Sequence, residues 1–515
     1  MATRNTAILR ITREIAEIQK NTDLSLCVAY RDENVKHVRA LIIGPPETPY
    51  QFGFFEFNFK FPAEYPSKAP YVRAITTNNG QTRFNPNIYA DGKVCLSILG
   101  TWPGEKGESW STAQGLESTL ISIQSLMSSN PYENEPGYEG ETCDSKEAVR
   151  YAAKIRHEAL RLTVIERLEI MMGLRLPLAK DGGQEYLLRD PTKQSHYSPA
   201  DIYDGGESEN DEEDATAPID LSSHQSKITK QPIVASTSSV SQQTAGPAAK
   251  KQKITAYDPV AEENPYHADA QFDPFADLFK RRFLWYYDSY LKLIETVSAE
   301  KGQSDGTQFK VETFESICNG MLGKYEYSSL KQRLVALRKA IDDETTSWIS
   351  KGIQAKKDGK AIAKDLEETV GQVRQRSKSG EITHSFEIEL VDGNPFVWHL
   401  TVFGPYSTDL DGAIINVVVQ FSSSFPDEQP RVNVQTALFH HRISPTNGVL
   451  CYNPSKPDDV FSHISTIVNT IVDDNPCYDP RAMVNPEAAT LLWGGEDKKK
   501  IYRRKLRRSV QDSLE

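Results

Sequence analysis

A cysteine stands eight residues after an asparagine in FNPNIYADGKVCLSILGTW, residues 84–102. A thiolate on an accessible turn can exchange acyl groups through a thioester, and the polar, glycine-containing lead-in at residues 90–92 favours such a turn. Acyl exchange passes through an oxyanion, which a fixed amide donor nearby stabilises. From the residues alone, Cys95 is either such a nucleophile or a small residue that fills a core.

A weaker echo of this segment, HHRISPTNGVLCYNP, occupies residues 440–454. In both stretches prolines follow a Gly-Pro pair at the same two distances, and a glycine stands three residues before the cysteine. The matched positions are Gly44, Pro66, Pro70, Gly92 and Cys95 in the first stretch and Gly404, Pro426, Pro430, Gly448 and Cys451 in the second. Shared punctuation in one order predicts an internal duplication of one fold, with the second copy diverged.

The second copy lacks the amide that acyl transfer needs. The residue eight positions before Cys451 is Ile443, which predicts an apolar pocket and a cysteine that acts as a small core residue. We therefore expect a non-catalytic copy, while a second thioester site at Cys451 stays an open alternative. Adjacent His440 and His441 have poor spacing for ligands, so we predict no metal site and no cofactor.

The elements around both cysteines predict an α+β fold. Apolar residues at helical spacing indicate an amphipathic first helix, and LSLCVAY, VRALIIG and FGFFEFNFKF indicate strands. Helical patterns return at residues 112–129 and 148–172. A second strand-rich unit begins near residue 379 with HSFEIELV, FVWHLTVF and AIINVVVQF, and it ends in helices around residues 463–472 and 488–506. Helix, antiparallel meander and further helices make an α+β domain.

Two further regions separate these units. Residues 194–273 contain GGESENDEED and STSSVSQQTAGPAAKKQK, a composition that predicts a disordered linker. Within it, PAAKKQK is either a nuclear-import signal or a solvated charge cluster. Residues 275–345 predict a helical extension, whose aromatic residues we expect to pack on the first domain.

Composition excludes several classes of protein. The 515 residues carry a net charge of −12, which makes nucleic-acid binding unlikely as a general function. Six scattered cysteines predict a reducing compartment, and the absence of a long apolar run predicts no membrane span. We therefore expect a soluble cytoplasmic protein, which enters the nucleus if PAAKKQK acts as an import signal.

The first unit resembles the ubiquitin-conjugating enzyme family over residues 1–174. The motifs that carry the resemblance are GPPETPY, FPAEYPSKAP, NPNIYADGKVCLSIL, Trp110 and NPYENEP. Asn-Pro-Asn in place of the usual His-Pro-Asn, followed by GKVCLSILGTW and ISIQSLM, is similar to the Z type. Residues 275–341 look like the C-terminal extension of that type, and residues 379–510 resemble the same fold more faintly. The resemblance implies a duplicated ubiquitin-conjugating fold, each copy with an N-terminal helix, a four-stranded antiparallel meander and C-terminal helices.

The resemblance also implies a thioester carrier. Cys95 would accept ubiquitin or a ubiquitin-like modifier from an activating enzyme and pass it to a substrate lysine or a ligase. Asn87 matches the family's asparagine that donates to the oxyanion, a role compatible with that of a turn-forming residue beside Pro86. An acidic residue in the loop NPYENEP, either Glu133 or Glu135, would assist the incoming lysine. The basic first helix, with Arg4, Arg10 and Arg13, would face the activating enzyme or be a solvated helix face. The alternative function is a scaffold that binds ubiquitin or partner enzymes without chemistry.

Two departures from the family pattern affect partner choice. Ser67 in YPSKAP replaces the apolar residue that often docks a ligase, and Thr112 replaces the proline that usually follows Trp-Ser. Docking of standard RING-type ligases is therefore in doubt, which favours direct transfer or an unusual ligase. The modifier, the lysine targets and the role of the basic segment KKKIYRRKLRR stay open.

Overall fold

A computed structural model of the chain describes residues 2–20, 24–31, 33–105, 107–175, 272–298, 300, 302–315 and 320–514, with the side chains described from residue 6 onward. The expected linker at residues 194–273, except its last two residues, and the segment PAAKKQK lie outside the described residues. Among the helices described, none is long and apolar enough to cross a bilayer.

The N-terminal domain begins with helix α1 (Ala2–Lys20), followed by an antiparallel sheet in the order β1-β2-β3-β4. The strands are β1 (Leu26–Tyr30), β2 (His37–Ile43), β3 (Phe54–Lys60) and β4 (Tyr71–Ala74). Side chains alternate across a strand, so one face carries the aromatic residues of β3 toward α1 and the helices that follow. The four-stranded meander predicted from the sequence is confirmed.

The segments after β4 carry the site. A 3-10 turn (Ser97–Leu99), helix α2 (Leu116–Ser125) and a second 3-10 turn (Pro131–Asn134) precede the C-terminal helices. These are α3 (Lys146–Glu158), a π-helical segment (Ala159–Glu166) and α4 (Arg167–Met171). The expected helix at 148–172 is therefore not uniform. Within its π-helical part, the Thr163 hydroxyl donates to the Ala159 carbonyl oxygen and accepts from the Phe54 N–H, which ties the segment to β3.

The outer face of the first sheet is also buried. Leu41, Ile43 and Phe54 are fully buried there, and helix α5 (Ala276–Ser298) lies over them. The Phe279 ring of α5 stacks on Phe54 with ring centroids 4.8 Å apart. The sheet therefore lies between two helical layers, and its strands β2 and β3 read as almost continuous buried runs.

The C-terminal domain repeats this plan. After α6 (Tyr327–Lys357), helix α7 (Ala361–Lys378) takes the place of α1, and Arg374 on it donates to the Ile388 carbonyl. The sheet order is β5-β6-β7-β8, and helices follow it. The elements are β5 (Phe386–Leu390), β6 (Val397–Phe403), β7 (Ile414–Gln420), β8 (Arg431–Val434), α8 (Val460–Val472), α9 (Pro486–Trp493) and α10 (Glu496–Asp512). Helix α7 begins ahead of residue 379, where we expected this unit to start.

The repeated glycines have one physical cause in both domains. A Cβ on Gly44 would lie 1.8 Å from the Tyr50 carbonyl oxygen, and one on Gly404 would lie 1.7 Å from the Leu410 carbonyl oxygen. Backbone packs so closely at both sites that only glycine fits. The equivalent prolines Pro66 and Pro426 are both cis. The glycines and prolines that recur at the same spacing thus occupy positions of the same backbone geometry in both domains.

Candidate functional site

A tight turn brings Cys95 to Asn87. The Cys95 N–H donates to the Asn87 carbonyl oxygen at 2.8 Å. The chain reverses at Gly92, which has a φ of +90° and whose Cβ, if present, would lie 2.4 Å from the Ala74 carbonyl oxygen. Glycine is therefore required at this turn for both conformation and space. The geometry joins the two residues that the sequence singled out.

The Cys95 side chain is less accessible than the sequence predicted. It is only 2% exposed, although Asp91 and Lys93 beside it are exposed. The polar lead-in exposes those residues, but the hydrogen bond to Asn87 draws Cys95 inward. Burial raises the pKa of the Cys95 thiol, while the Lys93 charge, a hydrogen bond from the Tyr89 hydroxyl and the Arg83 charge oppose that rise. A carbonyl carbon can reach the sulfur only when the covering side chains move aside.

Asn85 holds the turn from beneath. Its amide is fully buried and donates to the Tyr50 hydroxyl at 3.0 Å and the Leu126 carbonyl at 2.8 Å. Its oxygen accepts from the Asn87 N–H at 2.9 Å and from the Asn134 amide at 3.5 Å. Within the part of the chain that the structure describes, the Asn87 side-chain amide has no hydrogen-bond partner. The backbone of Asn87 is thus fixed, and its amide is available to donate.

Arg83 connects this turn to the acidic loop. It is 4% exposed and donates to the Pro86 carbonyl at 2.5 Å and to Glu135 Oε2 at 3.2 Å. Its guanidinium carbon lies 4.7 Å from the centroid of the Tyr89 ring and 5.5 Å from that of Phe314 in the extension. One buried cation therefore links the Asn-Pro-Asn turn, the tyrosine that contacts Cys95, and the loop after α2.

The two candidate acids in that loop have different surroundings. Glu135 is half-buried and bonded to Arg83, whereas Glu133 is exposed on the 3-10 turn Pro131–Asn134. Among the described residues, the Glu133 carboxylate forms no ion pair or hydrogen bond. Glu135 is thus held by Arg83, whereas Glu133 is exposed and has no such contact within the described residues.

The basic residues of α1 are not equivalent. Arg13 pairs with Glu17 on the exposed face, whereas Arg10 pairs with Glu14, which is buried. The Glu14 carboxylate also accepts from the Tyr65 hydroxyl at 2.6 Å and from the Leu116 N–H at 3.0 Å. Arg10 therefore takes part in the hydrogen-bond network of Glu14, which connects α1 to α2 and to the loop before β4. Arg4 lies in α1, and its side chain lies outside the described residues.

The two family departures lie on one surface. Ser67 and Thr112 are both exposed, and between them the Trp110 indole donates to the Pro66 carbonyl at 2.7 Å. The tryptophan thus anchors both loops, while the exposed positions present hydroxyls where an apolar contact was expected from the family pattern.

The second turn repeats the first, with different side chains. The Cys451 N–H donates to the Arg442 carbonyl at 2.9 Å, and the Arg442 N–H donates to His440 Nδ1 at 3.1 Å. Arg442 therefore occupies the place of Asn87 and His440 that of Asn85. The sequence assignment of Ile443 to the asparagine position was wrong, because this turn has one more residue before its cysteine. Ile443 instead pairs with Leu450, as Ile88 pairs with Val94 in the first domain.

Cys451 lies in a closed environment. Its side chain is 0% exposed, and burial raises the pKa of its thiol, opposed by the charges of Arg442 and Arg282 and by a hydrogen bond from Arg442. An arginine thus contacts the sulfur where the first domain offers an amide. Burial also lowers the pKa of His440 to about 3, so that this imidazole stays neutral. Within the described ranges, no group of three or more His, Cys, Asp or Glu side chains is placed to hold a metal ion.

Sequence reasoning missed four residues that support the two turns: Asn85, Arg83, Tyr89 and Arg442. Asn85 carried a signal, because it stands in the Asn-Pro-Asn motif two residues before Asn87. No motif singled out Arg83 or Tyr89, and Arg442 was missed because its turn has one more residue than the first.

Comparison with known proteins places this geometry in a family. The model of the family described as "Ubiquitin-conjugating enzyme" matches residues 10–158 and 365–507. The two matches together exceed half of the chain and coincide with the two sheets and their cysteine turns. The second match confirms the duplication predicted from spacing.

Relatives match mainly through the N-terminal domain. "Ubiquitin-conjugating enzyme E2 Z" of Xenopus tropicalis is 50% identical over 165 residues, which cover 32% of this chain and 51% of that protein. The protein of the same name in Homo sapiens is 49% identical over 164 residues, covering 32% and 45%. The chain thus spans about half the length of the curated relatives it matches. The structure of a Toxoplasma gondii ubiquitin conjugating enzyme E2 domain is 24% identical, with a TM-score of 0.25, and covers 30% of this chain and 97% of that one.

Proposed function

Because the chain belongs to the ubiquitin-conjugating enzyme family, we propose that its N-terminal domain carries ubiquitin or a ubiquitin-like modifier as a thioester on Cys95. The observation that carries the proposal is the turn that bonds Cys95 to the Asn87 carbonyl and, among the described residues, leaves the Asn87 side-chain amide without a hydrogen-bond partner. A cysteine that only fills the core does not require an amide donor nearby, whereas acyl transfer does.

Loading is a thioester exchange. The Cys95 thiolate attacks the carbonyl carbon of the modifier's C-terminal thioester, and the thiolate of the activating enzyme leaves as the new thioester forms. The charge of Lys93, the hydrogen bond from Tyr89 and the charge of Arg83 all favour the thiolate of Cys95 over its thiol. Displacement of the covering side chains supplies the access that this step requires.

Each exchange develops negative charge on the carbonyl oxygen, and Asn87 donates to that oxyanion. Asn85 fixes the Asn87 N–H at 2.9 Å, which limits the positions that the Asn87 amide can take. Removing one such donor costs about 3 kcal/mol of barrier, or roughly a hundredfold in rate.

Transfer to lysine forms an isopeptide bond and returns Cys95 as a thiolate. The attacking amine must lose a proton, and Glu133 accepts it, since Glu135 is already bonded to Arg83. Glu135 instead positions the loop. Transfer to a ligase cysteine needs no such base. Loss of Glu133 should therefore slow transfer to an amine but not transfer to a thiol.

The partners follow from this chemistry. The activating enzyme binds α1, where Arg13 is exposed and Arg10 is half-buried, and Arg4 precedes both on the same helix. Exposed hydroxyls at Ser67 and Thr112 favour direct transfer or an unusual ligase over a standard RING-type ligase. Scattered cysteines indicate a reducing compartment, and we place the activity in the cytoplasm. The C-terminal domain is non-catalytic in this proposal, because its turn carries Arg442 where the first domain carries Asn87.

A charging assay tests this function. The full chain is incubated with ATP, modifier and activating enzyme and is run on a non-reducing gel, with reductant added to half of each sample. We expect a reductant-sensitive adduct in the wild type, in Cys451→Ala and in the control Cys143→Ala, which removes an exposed thiol. The adduct should disappear in Cys95→Ala and form roughly a hundredfold more slowly in Asn87→Ala.

Discharge from Cys95 is then followed with two acceptors, free lysine and free cysteine. Glu133→Gln should slow discharge to lysine and leave discharge to cysteine unchanged, because a thiolate brings no proton to remove. An adduct that survives Cys95→Ala and disappears in Cys451→Ala would contradict the assignment. If Glu133→Gln discharges to lysine at the wild-type rate, as it should to cysteine, Glu133 is not the proton acceptor.

A further inference from the structure

Helix α5 is buried on two sides, and its first side contacts the N-terminal domain. The Tyr286 ring stacks on Phe52 with centroids 4.0 Å apart and planes 3° from parallel. The Tyr290 hydroxyl donates to the Phe52 carbonyl at 2.8 Å, and Phe279 stacks on Phe54. Such an aromatic stripe fixes the helix against the outer face of the first sheet.

The second side of α5 contacts the C-terminal domain at the start and at the middle of the helix. Asp277 pairs with Arg431 at 2.7 Å and accepts from the Gln429 N–H at 3.2 Å. Three turns further on, Asp288 accepts from the hydroxyls of Ser444 and Thr446, each at 2.6 Å. Arg431 begins β8, and the two hydroxyls lie in the turn that leads to Cys451. The helix therefore crosses the face of this domain that carries the cysteine.

Apolar packing follows the same path. Val449, Cys451, Ala482 and Val484 belong to the hydrophobic cluster of α5 and the N-terminal domain, whereas the rest of the C-terminal core forms a separate cluster. Between them the Tyr286 hydroxyl donates to the Arg481 carbonyl at 2.8 Å. The cysteine face of the second domain is thus packed as part of the first domain's core.

We propose that the C-terminal domain is an internal receptor: its cysteine face binds α5 and holds that helix on the outer face of the first sheet. In the N-terminal domain the equivalent face carries out the proposed chemistry. In the C-terminal domain that face recognises a helix of the same chain instead. Acid residues at both ends of the α5 contact set the register, and the aromatic residues between them supply the buried area.

The receptor contact closes Cys451. A reagent can reach the sulfur only when α5 leaves the face, because Cys451 is 0% exposed beneath it. Alkylation of Cys451 therefore reports the population of the open contact. We expect it to be at least about a hundredfold slower than alkylation of Cys477, which is exposed in the same domain.

The experiment is native-state alkylation of the full chain with iodoacetamide, followed by quantification of each cysteine peptide. Asp288→Lys removes the acceptor of both hydroxyls and should raise the Cys451 rate about tenfold or more, while Cys477 and Cys95 keep their rates. The matched control is Asp343→Lys, the same charge change at an exposed aspartate of α6 that faces neither domain's cysteine turn. Thioester formation plays no part in the readout, so failure of the proposed function would leave this test unaffected.

Each outcome decides the proposal. Rapid labelling of Cys451 in the wild type, at the rate of Cys477, overturns it, as does an Asp288→Lys rate that matches the Asp343→Lys control. If Asp288→Lys raises the alkylation rates of Cys451 and Cys95 together, the substitution has unfolded both domains. The milder Asp288→Asn then serves as the test variant. A rise confined to Cys451 in that variant supports the receptor, and no rise overturns it.

Discussion

Replacing Asn85 by leucine tests how far the buried amide supports the candidate site. Leucine has a similar volume but cannot form hydrogen bonds, whereas Asn85 forms four with Tyr50, Leu126, Asn87 and Asn134. The Leu126 carbonyl keeps a bond from Asn134 at 3.0 Å, so the Asn87 N–H is the principal group left without a partner.

The magnitude follows from those bonds. Two donated bonds contribute about 1 kcal/mol each, and an orphaned N–H costs roughly 1–3 kcal/mol. Asn85→Leu should therefore lower the free energy of unfolding by about 3–5 kcal/mol. The matched control is Asn130→Leu, because Asn130 is also buried but its side chain donates a single bond, to the Glu141 carbonyl at 2.8 Å. The control should cost about 1 kcal/mol.

The assay combines urea denaturation with thioester charging. Asn85→Leu should unfold at a lower urea concentration than Asn130→Leu and should also charge more slowly, because the Asn87 backbone is no longer fixed. Under conditions where both variants are folded, equal charging rates would refute the view that Asn85 positions Asn87. Equal unfolding midpoints would refute the hydrogen-bond argument itself.

Three further predictions concern the thiol, a buried acid and two glycines. Tyr89→Phe removes a hydrogen bond that opposes the rise in the Cys95 pKa, so the pH profile of Cys95 alkylation should move to higher pH; an unchanged profile would contradict that role. Burial would raise the pKa of Glu158, but Arg161 and His157 lower it from 4.5 to about 2, so Glu158→Gln should cost about 3 kcal/mol at pH 7. Since the folded pKa lies below the unfolded one, that difference is present above about pH 4.5 and is lost as the pH falls toward 2, which urea unfolding at pH 7 and pH 3 would show. Gly371→Ala, in the open interior of α7, should stabilise by about 0.5–1 kcal/mol, whereas Gly404→Ala, with its Cβ 1.7 Å from a carbonyl oxygen, should destabilise by about 2 kcal/mol or more in the same assay.

Features with local causes were predictable from the sequence. The strands followed from runs of β-branched and aromatic residues, and the duplication from glycines and prolines that close backbone contacts require. Cys95 and Asn87 were paired correctly because a single turn, closed by one backbone hydrogen bond, spans the eight positions between them. Each of these inferences depends on residues near one another in the chain.

Features with distant partners were not predictable. Besides the nearby Pro86, Arg83 has partners at Glu135 and Phe314, and no pattern in the sequence joins it to those two positions. The prediction of which residue pairs with Cys451 was wrong for a different reason. Counting eight residues back from Cys451 assumes equal turn lengths, and only the backbone bond to Arg442 reveals the extra residue.

The two domains show how the same fold acquires different surfaces. Both keep the cis proline and the backbone bond to the cysteine, and both keep the glycine beside a carbonyl oxygen, where a Cβ has no room. The side chains at the turn are under no such constraint. In one domain the cysteine is bonded through the backbone to an asparagine, the arrangement on which the proposed acyl transfer rests. In the other an arginine contacts the sulfur, and helix α5 covers it. Because α5 also packs on the first sheet, Cys451 and the outer face of that sheet belong to one hydrophobic cluster, so the helix that covers the second cysteine is at the same time part of the first domain's core.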